Sequence, residues 1–172
     1  TAVEMRNITP ETGAFLALLV RAMRPRRLLE IGTSNGYSTL WLADAAVEGA
    51  AQLVSVDADP AAHDRARRPH RRAGFEHLIE LRTGDAGHVL RDTPDRTYDF
   101  IFLDSDRTRY EGWWPDVERV LAPGGLLVVD NAVSHAEQVA PLAELIQTTS
   151  GLSSVLVPIG KGELMVHKAG VE

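Results

Sequence analysis

The chain has 172 residues, a formal net charge of −6, and 44% hydrophobic against 24% charged residues. This length and balance are typical of one compact globular domain, and they exclude collagen, coiled coil and wholesale disorder. The apolar runs are shorter than the roughly 20 residues of a membrane-spanning helix, and no signal-peptide pattern opens the chain. The negative charge disfavours nucleic-acid binding. We therefore expect a cytoplasmic protein without a membrane or nucleic-acid partner.

Short apolar runs alternate with helical patterns along the chain. Asp59-Pro60 has the pattern of a helix cap followed by a first-turn proline. In chain order the predicted elements are helix Glu11–Met23, strand Arg26–Ile31, helix Leu40–Ala46, strand Leu53–Asp57, helix Pro60–Ala73, strand Leu78–Arg82, strand Tyr98–Leu103, helix Trp113–Leu121, strand Leu126–Val129, helix His135–Thr148, and strands Val155–Val157 and Leu164–Val166.

This alternation predicts an α/β fold in which helices cover both faces of a parallel sheet. Only Pro158–Glu163 separates the last two strands, which is too short for a helical crossover, so these strands are expected to pair antiparallel. The expected class is a Rossmann-like open sheet of about seven strands, mostly parallel with an antiparallel C-terminal hairpin. Residues 1–172 are expected to form a single domain with a short N-terminal arm and helix.

Acidic residues stand at the carboxyl ends of the predicted strands. Ligands of open α/β sheets bind outside this edge, so the repeated placement indicates a ligand site. Capping of the next helix explains any single acid more simply. Capping explains the whole set poorly, because several like charges at one edge need a partner. The acids are Glu30, Asp57, Asp85, Asp104 and Asp130.

The turn Gly32–Gly36 lacks both the G-x-G-x-x-G spacing of dinucleotide sites and the Lys-Ser/Thr pair of phosphate loops. It does match G-x-S-x-G, the nucleophile elbow of α/β hydrolases, with Ser34 as the nucleophile. Its place after the first strand and the nearby charge of Glu30 count against a serine hydrolase, which stays an alternative. The acid and base of such a triad would be Asp104 or Asp130 and His135 or His167.

A basic run follows the second predicted strand, with five arginines over Arg65–Arg72 and two histidines, His63 and His70. A solvated helix face is the simpler interpretation, and contact with a phosphate group is the alternative. Pro69 is expected to disrupt this helix locally, because proline lacks the backbone N–H that helix interiors use.

Three segments carry a family resemblance: Leu28–Ser38 (LLEIGTSNGYS), Tyr98–Asp106 (YDFIFLDSD) and Gly124–Asn131 (GGLLVVDN). Together and in this order they resemble S-adenosylmethionine-dependent methyltransferases, and more narrowly the cation-dependent O-methyltransferases of the catechol and caffeoyl-CoA group. The resemblance covers about Thr9 to Lys168. It implies methyl transfer to a hydroxyl of a small, phenolic or catechol-like acceptor, and it suggests a homodimer.

The resemblance also implies which residues bind the methyl donor. Gly32 and Gly36 would let the backbone approach the donor closely, Asp57 would accept hydrogen bonds from the ribose hydroxyls, and the Met5–Ile8 arm should fold nearby. Glu30 and Ser38 would line the methionine end, and Asp85 would border the adenine. The expected donor-binding residues are Glu30, Gly32, Gly36, Ser38, Asp57, Asp85, Ala86 and Asp104.

Asp104, Asp130 and Asn131 form the expected metal site. The chain has no Cys, so metal ligands must be oxygen atoms or His. Two carboxylates and one amide oxygen suit a hard divalent cation, and the resemblance implies these same ligands and favours magnesium. The cation would lower the pKa of the acceptor hydroxyl. A metal-free enzyme in which Asp104 and Asn131 are structural stays an alternative.

Arg107 stands where the family commonly has a Lys that is thought to act as the base. Arg stays protonated in proteins, so Arg107 is expected to stabilise an oxyanion and not to accept the proton. Asp104 and Arg107 are therefore the expected catalytic residues, with the proton lost to water or another group. His135 is a candidate base by location only, and capping of the next helix is its simpler interpretation. A non-catalytic donor-binding module is the remaining alternative.

Overall fold

The computed structural model describes residues 7–171, so Met5 and Arg6 of the predicted arm lie outside the described residues. Short 3₁₀ turns cover Val47–Gly49 and Arg107–Arg109. The main elements are α1 (Pro10–Met23), β1 (Arg27–Ile31), α2 (Tyr37–Ala46), β2 (Gln52–Asp57), α3 (Pro60–Ala73), β3 (Ile79–Thr83), α4 (Ala86–Asp92), β4 (Tyr98–Leu103), α5 (Tyr110–Val120), β5 (Leu121–Val129), α6 (Ala136–Thr148), β6 (Leu152–Val157) and β7 (Glu163–Lys168).

The seven strands form one sheet in the order β3-β2-β1-β4-β5-β7-β6. All pairs from β3 to β5 are parallel, whereas β7 runs antiparallel to both of its neighbours, β5 and β6. The register aligns Ile31 with Val56 on one side and Leu103 on the other. This confirms the predicted α/β class, including the C-terminal hairpin, and sets the strand ends in one row.

Both faces of the sheet are buried. Leu28, Phe100 and Val128 face a core formed with α1 and α2. Their neighbours along the strands, such as Leu29 and Ile101, face a second core formed with α4, α5 and α6. Alternate side chains point to opposite faces of a strand, which explains why these runs are apolar at every position.

Three local features differ from the sequence-based expectation. Helix α4 was not predicted, because its seven residues begin with Ala-Gly and carry little periodicity. Strand β5 begins at Leu121 and not at the predicted Leu126, and it runs through Pro123, Gly124 and Gly125 with a register irregularity against β4. The predicted disruption at Pro69 is wrong: α3 is continuous, and buried Ala66 and His70 anchor it on both sides of the proline.

Within the described part of the chain, no helix is long and apolar enough to cross a membrane.

Candidate active site

Backbone hydrogen bonds tie the carboxyl ends of adjacent strands together. The Gly32 amide donates to the Val56 carbonyl at 2.8 Å, the Asp104 amide to the Ile31 carbonyl at 3.0 Å, and the Asp130 amide to the Leu103 carbonyl at 3.0 Å. Each bond continues the parallel ladder one step beyond the strands. Glu30 and Asp57 lie in the last two residues of β1 and β2, and Asp104 and Asp130 directly follow β4 and β5, so these acids lie along one edge, as the sequence predicted.

Glu30 lies at the centre of this edge, and its side chain is fully buried. Its carboxylate accepts hydrogen bonds from Ser38 Oγ at 2.5 Å, from Ser55 Oγ at 2.7 Å and from Thr39 Oγ1. Burial raises the pKa of the Glu30 carboxyl, and the hydroxyl donors oppose that rise. The predicted pair Glu30 and Ser38 is thus in direct contact, and Ser55 and Thr39 are partners that sequence reasoning missed.

The Asp57 carboxylate holds the loops around it. Its Oδ2 accepts from the Ser34 amide at 2.9 Å, and its Oδ1 accepts from the Asp59 amide at 2.9 Å. Each carboxylate oxygen has a second lone pair, so both oxygens can still accept hydrogen bonds from a ligand.

A cavity of about 190 Å³ opens beside Asp57 and reaches Asp85 and Ala86. Asp85 caps α4 by accepting from the His88 amide at 3.1 Å, and it forms a 2.8 Å ion pair with Arg109. The Arg109 guanidinium, followed by the His88 amide, lowers the pKa of the Asp85 carboxyl. The guanidinium carbon also lies 5.3 Å from the ring centroid of Trp113. Asp85 thus caps a helix, as the simpler interpretation held, and also lines the cavity.

A larger cavity, of about 600 Å³, lies at the opposite edge of the sheet, where β1, β2 and β4 begin. It is lined by Arg27, Gln52 and Tyr98 among others. None of the predicted site residues lines it, whereas Asp57, Asp85 and Ala86 line the smaller cavity.

Asn131 joins the two predicted metal-binding carboxylates. Its Nδ2 lies 3.2 Å from Asp104 Oδ1 and 3.4 Å from Asp130 Oδ2, while its Oδ1 accepts from Ser134 Oγ at 3.1 Å. The backbone of Asn131 is left-handed, with φ of 63°, a conformation that Asn tolerates. The three residues are thus brought together as predicted, with the amide nitrogen turned towards the acids.

The two acids repel each other, and the charges of Lys161 and Arg107 offset this repulsion only in part. Asp130 Oδ1 is buried and has no hydrogen-bond partner within residues 7–171. Burial and then the charge of Asp130 raise the pKa of the Asp104 carboxyl. Among the same residues, no three Asp, Glu or His side chains are arranged to hold a metal ion, so a cation here would depend on Asn131 as the third ligand.

Glu163, the first residue of β7, is a further carboxyl that sequence reasoning missed. It is fully buried, and neither of its oxygens makes a hydrogen bond of good geometry with another described residue, although the Thr12 hydroxyl and the Asp130 carboxyl lie next to it. Burial, contact with Asp130 and the charge of Asp104 raise the pKa of Glu163 to about 11. A neutral Glu163 can donate a proton to Asp130. The available signal was an acidic residue directly before the apolar run Leu164–Val166.

Arg107 lies beside the carboxylates. Its Nε donates to Gln138 Oε1 of α6 at 2.7 Å, and its charge is among those that lower the pKa of Asp104. The guanidinium is therefore fixed between the β4 loop and α6, next to the predicted cation site. Gln138 was not singled out from the sequence.

A family model described as O-methyltransferase matches residues 1–160. The chain belongs to the O-methyltransferase family. This confirms the family that the three sequence segments indicated.

Curated relatives agree with that family assignment. The chain is 32% identical over 130 residues to a catechol O-methyltransferase of Niastella koreensis, covering 74% of the chain and 58% of the relative. It is 33% identical over 127 residues to a catechol O-methyltransferase of Mycobacterium tuberculosis, covering 73% and 57%. The chain thus spans less than two thirds of the length of these two relatives.

Solved structures share the fold. The O-methyltransferase from Bacillus cereus, solved in complex with SAH, superposes with a TM-score of 0.85 at 28% identity, covering 95% of this chain and 83% of the other. The fold that carries the strand-end edge is thus shared with solved methyltransferases.

The described residues do not form the catalytic triad of a serine hydrolase. Ser34 has a left-handed backbone, with φ of 53°, as a nucleophile elbow would. Within residues 7–171, however, no hydrogen bond joins Ser34 to an imidazole. His135 Nδ1 pairs with Ser134 Oγ at 2.9 Å, and His135 occupies the N-cap position of α6 without making a side-chain cap bond.

Proposed function

We propose that the chain transfers a methyl group from S-adenosylmethionine to a hydroxyl of a small phenolic or catechol-like acceptor, assisted by a divalent cation. One observation carries the proposal: the acids at the ends of four adjacent strands lie along one edge, with a cavity beside them. The relatives named as catechol O-methyltransferases and the Bacillus cereus complex with SAH support it.

The donor would lie across the middle of this edge. Glu30, with Ser38 beside it, offers a carboxylate for the ammonium of the methionine end. Asp57 offers free lone pairs for the two ribose hydroxyls, and the cavity next to it, bordered by Asp85 and Ala86, would receive the adenine. Gly32 and Gly36, both at positive φ, let the turn lie close to the donor.

The residues present fit a cation held by Asp104, Asp130 and Asn131. Two neighbouring carboxylates repel each other, and among the described residues only a protonated Glu163 could donate to the buried Asp130 Oδ1. A half-turn of the Asn131 amide would exchange its nitrogen for its oxygen at the same position. A bound divalent cation supplies charge that lowers the pKa of the acceptor hydroxyl. Magnesium is the proposed ion, because hard oxygen ligands suit it.

Arg107 would stabilise the negative charge of the acceptor oxygen. Its guanidinium stays protonated, and Gln138 fixes its orientation through the 2.7 Å bond. The acceptor proton would leave to water or to another group. The remaining rate gain would come from alignment of the acceptor oxygen with the methyl carbon.

Calorimetric titration with S-adenosylmethionine, with magnesium or with EDTA, followed by a panel of catechols, tests the proposal. We expect donor binding under both conditions and methylation of a catechol with magnesium only. Turnover that is unchanged in EDTA would favour the metal-free alternative. Donor binding with no turnover of any acceptor would favour a binding module, and absence of donor binding would contradict the proposal. The cytoplasmic location, the homodimer, and the absence of nucleic-acid and membrane partners stay predictions.

A further inference from the structure

A chain of side-chain hydrogen bonds runs from Glu30 across β2 to helix α3. Ser55 Oγ lies 2.7 Å from Glu30 Oε1, Thr33 Oγ1 lies 2.6 Å from Ser55 Oγ, and His63 Nε2 lies 3.1 Å from Thr33 Oγ1. On the other side of the imidazole, Nδ1 lies 2.9 Å from Thr83 Oγ1. Glu30, Ser55, Thr33 and His63 are all at most 1% exposed.

The donor and acceptor of each bond follow from the Glu30 end. A carboxylate can only accept, so Ser55 donates its one proton to Glu30. Ser55 must then accept from Thr33, and Thr33, having given its proton to Ser55, must accept from His63. His63 Nε2 therefore carries a hydrogen. Burial lowers the pKa of His63, and in the neutral ring Nδ1 is then the acceptor for the Thr83 hydroxyl.

The imidazole supports the same direction from the other end of the hydrogen-bond chain. Hydroxyl groups rotate, so without the imidazole Thr33 could turn its proton away from Ser55 and leave the Ser55 hydroxyl without a donor behind it. A fixed N–H facing Thr33 removes that choice, because Thr33 must use its lone pair there and send its proton to Ser55. His63 thereby keeps the Ser55 proton on Glu30 without touching Glu30 itself.

We propose that His63 is a positioning residue for the methyl donor: it acts through Thr33 and Ser55 to hold the Glu30 carboxylate ready for the ammonium of the donor. This rests on the proposed function, in which Glu30 binds the methionine end. No sequence motif indicates His63, which lies in a basic run on a helix whose arginines are exposed.

The test compares two ligands that differ at the methionine end. S-adenosylhomocysteine carries the amino acid, whereas 5′-methylthioadenosine keeps the adenosine and sulfur and lacks it. We expect His63→Leu to weaken binding of S-adenosylhomocysteine about tenfold, which is the typical loss for one hydrogen bond to a charged group. Binding of 5′-methylthioadenosine should stay unchanged. His63→Gln, whose amide can still donate, should restore most of the loss.

A matched control uses His70, which is also buried on α3 but takes no part in the hydrogen bonds that lead to Glu30. Its Nε2 lies 3.4 Å from the Gly36 carbonyl oxygen. His70→Leu should change the affinities of both ligands by a similar factor. Equal losses for both ligands in His63→Leu would overturn the proposal, since a general packing defect does that. Failure of the wild type to bind S-adenosylhomocysteine would instead contradict the proposed function.

A measurement on the wild type keeps the proposal testable if His63→Leu does not fold. Nitrogen-15 NMR distinguishes the two neutral tautomers of a histidine ring. We expect His63 as the Nε2–H tautomer. An Nδ1–H tautomer would overturn the proposal, because Nε2 could then not donate to Thr33.

Discussion

A methyl group on Gly32 would lie 1.9 Å from the carbonyl oxygen of Asp104. The end of β1 and the end of β4 therefore touch at the backbone, between the proposed donor site and the proposed cation site. Gly32 also has φ of 107°, which side chains rarely adopt. The contact sets the spacing between Glu30 and Asp104.

Gly32→Ala is expected to lower the free energy of unfolding by about 3 kcal/mol or more, since overpacking and backbone strain add. It should also abolish binding of S-adenosylhomocysteine, measured by calorimetry on the folded fraction. Gly112→Ala is the control: this helical glycine has open space around it, so alanine should stabilise by about 0.5–1 kcal/mol. An unimpaired Gly32→Ala enzyme would contradict the close contact.

Asp130→Asn and Asp57→Asn should impair different steps, turnover in the first variant and donor binding in the second. Asp130→Asn removes charge from the proposed cation site, so we expect kcat to fall about 100-fold or more and magnesium to lose its effect. Affinity for S-adenosylhomocysteine should change little. Asp57→Asn should weaken that affinity about tenfold and leave the magnesium dependence intact. Titration calorimetry and magnesium titrations of initial rate separate the two, and identical defects would count against separate sites.

Glu163→Gln should stabilise the protein increasingly as pH rises. The folded state holds the pKa of Glu163 near 11, far above the usual value. At Glu163 the folded state therefore binds more protons than the unfolded state between about pH 4.5 and 11, so the stability that this protonated carboxyl contributes is lost as pH rises through this range. Glutamine does not titrate, so the difference in the free energy of unfolding between Glu163→Gln and the wild type should grow by up to about 1.4 kcal/mol per pH unit. Chemical unfolding in EDTA at pH 5, 7 and 8.5 checks this. A constant difference would show that Glu163 is ionised in the fold.

Arg107→Lys and Arg107→Met test the role of the guanidinium. If Arg107 only stabilises negative charge, Arg107→Met should lower kcat about 10- to 100-fold, whereas Arg107→Lys should keep much of the rate. The wild-type rate should rise with pH as the acceptor hydroxyl ionises, and in Arg107→Met this rise should occur at higher pH. Rate profiles over pH 6–10, with chemistry limiting, measure both effects. A wild-type rate flat over this range would contradict activation by ionisation.

The fold could be predicted because its signals are local. Buried parallel strands are apolar at every position, and the short Pro158–Glu163 connection forces an antiparallel pair. Helix α4 was missed because its seven residues depend on the cap at Asp85 and on packing against α5 more than on their own pattern.

The sequence by itself determined the row of acids, because the carboxyl ends of parallel strands always share one edge of the sheet. It could not determine what surrounds them. His63 turns inward because α3 packs its Ala62–Ala66 side on the sheet. Glu163 faces Asp130 because β7 inserts between β5 and β6. Such partners are distant in sequence, and only the tertiary packing decides which polar group is buried against which.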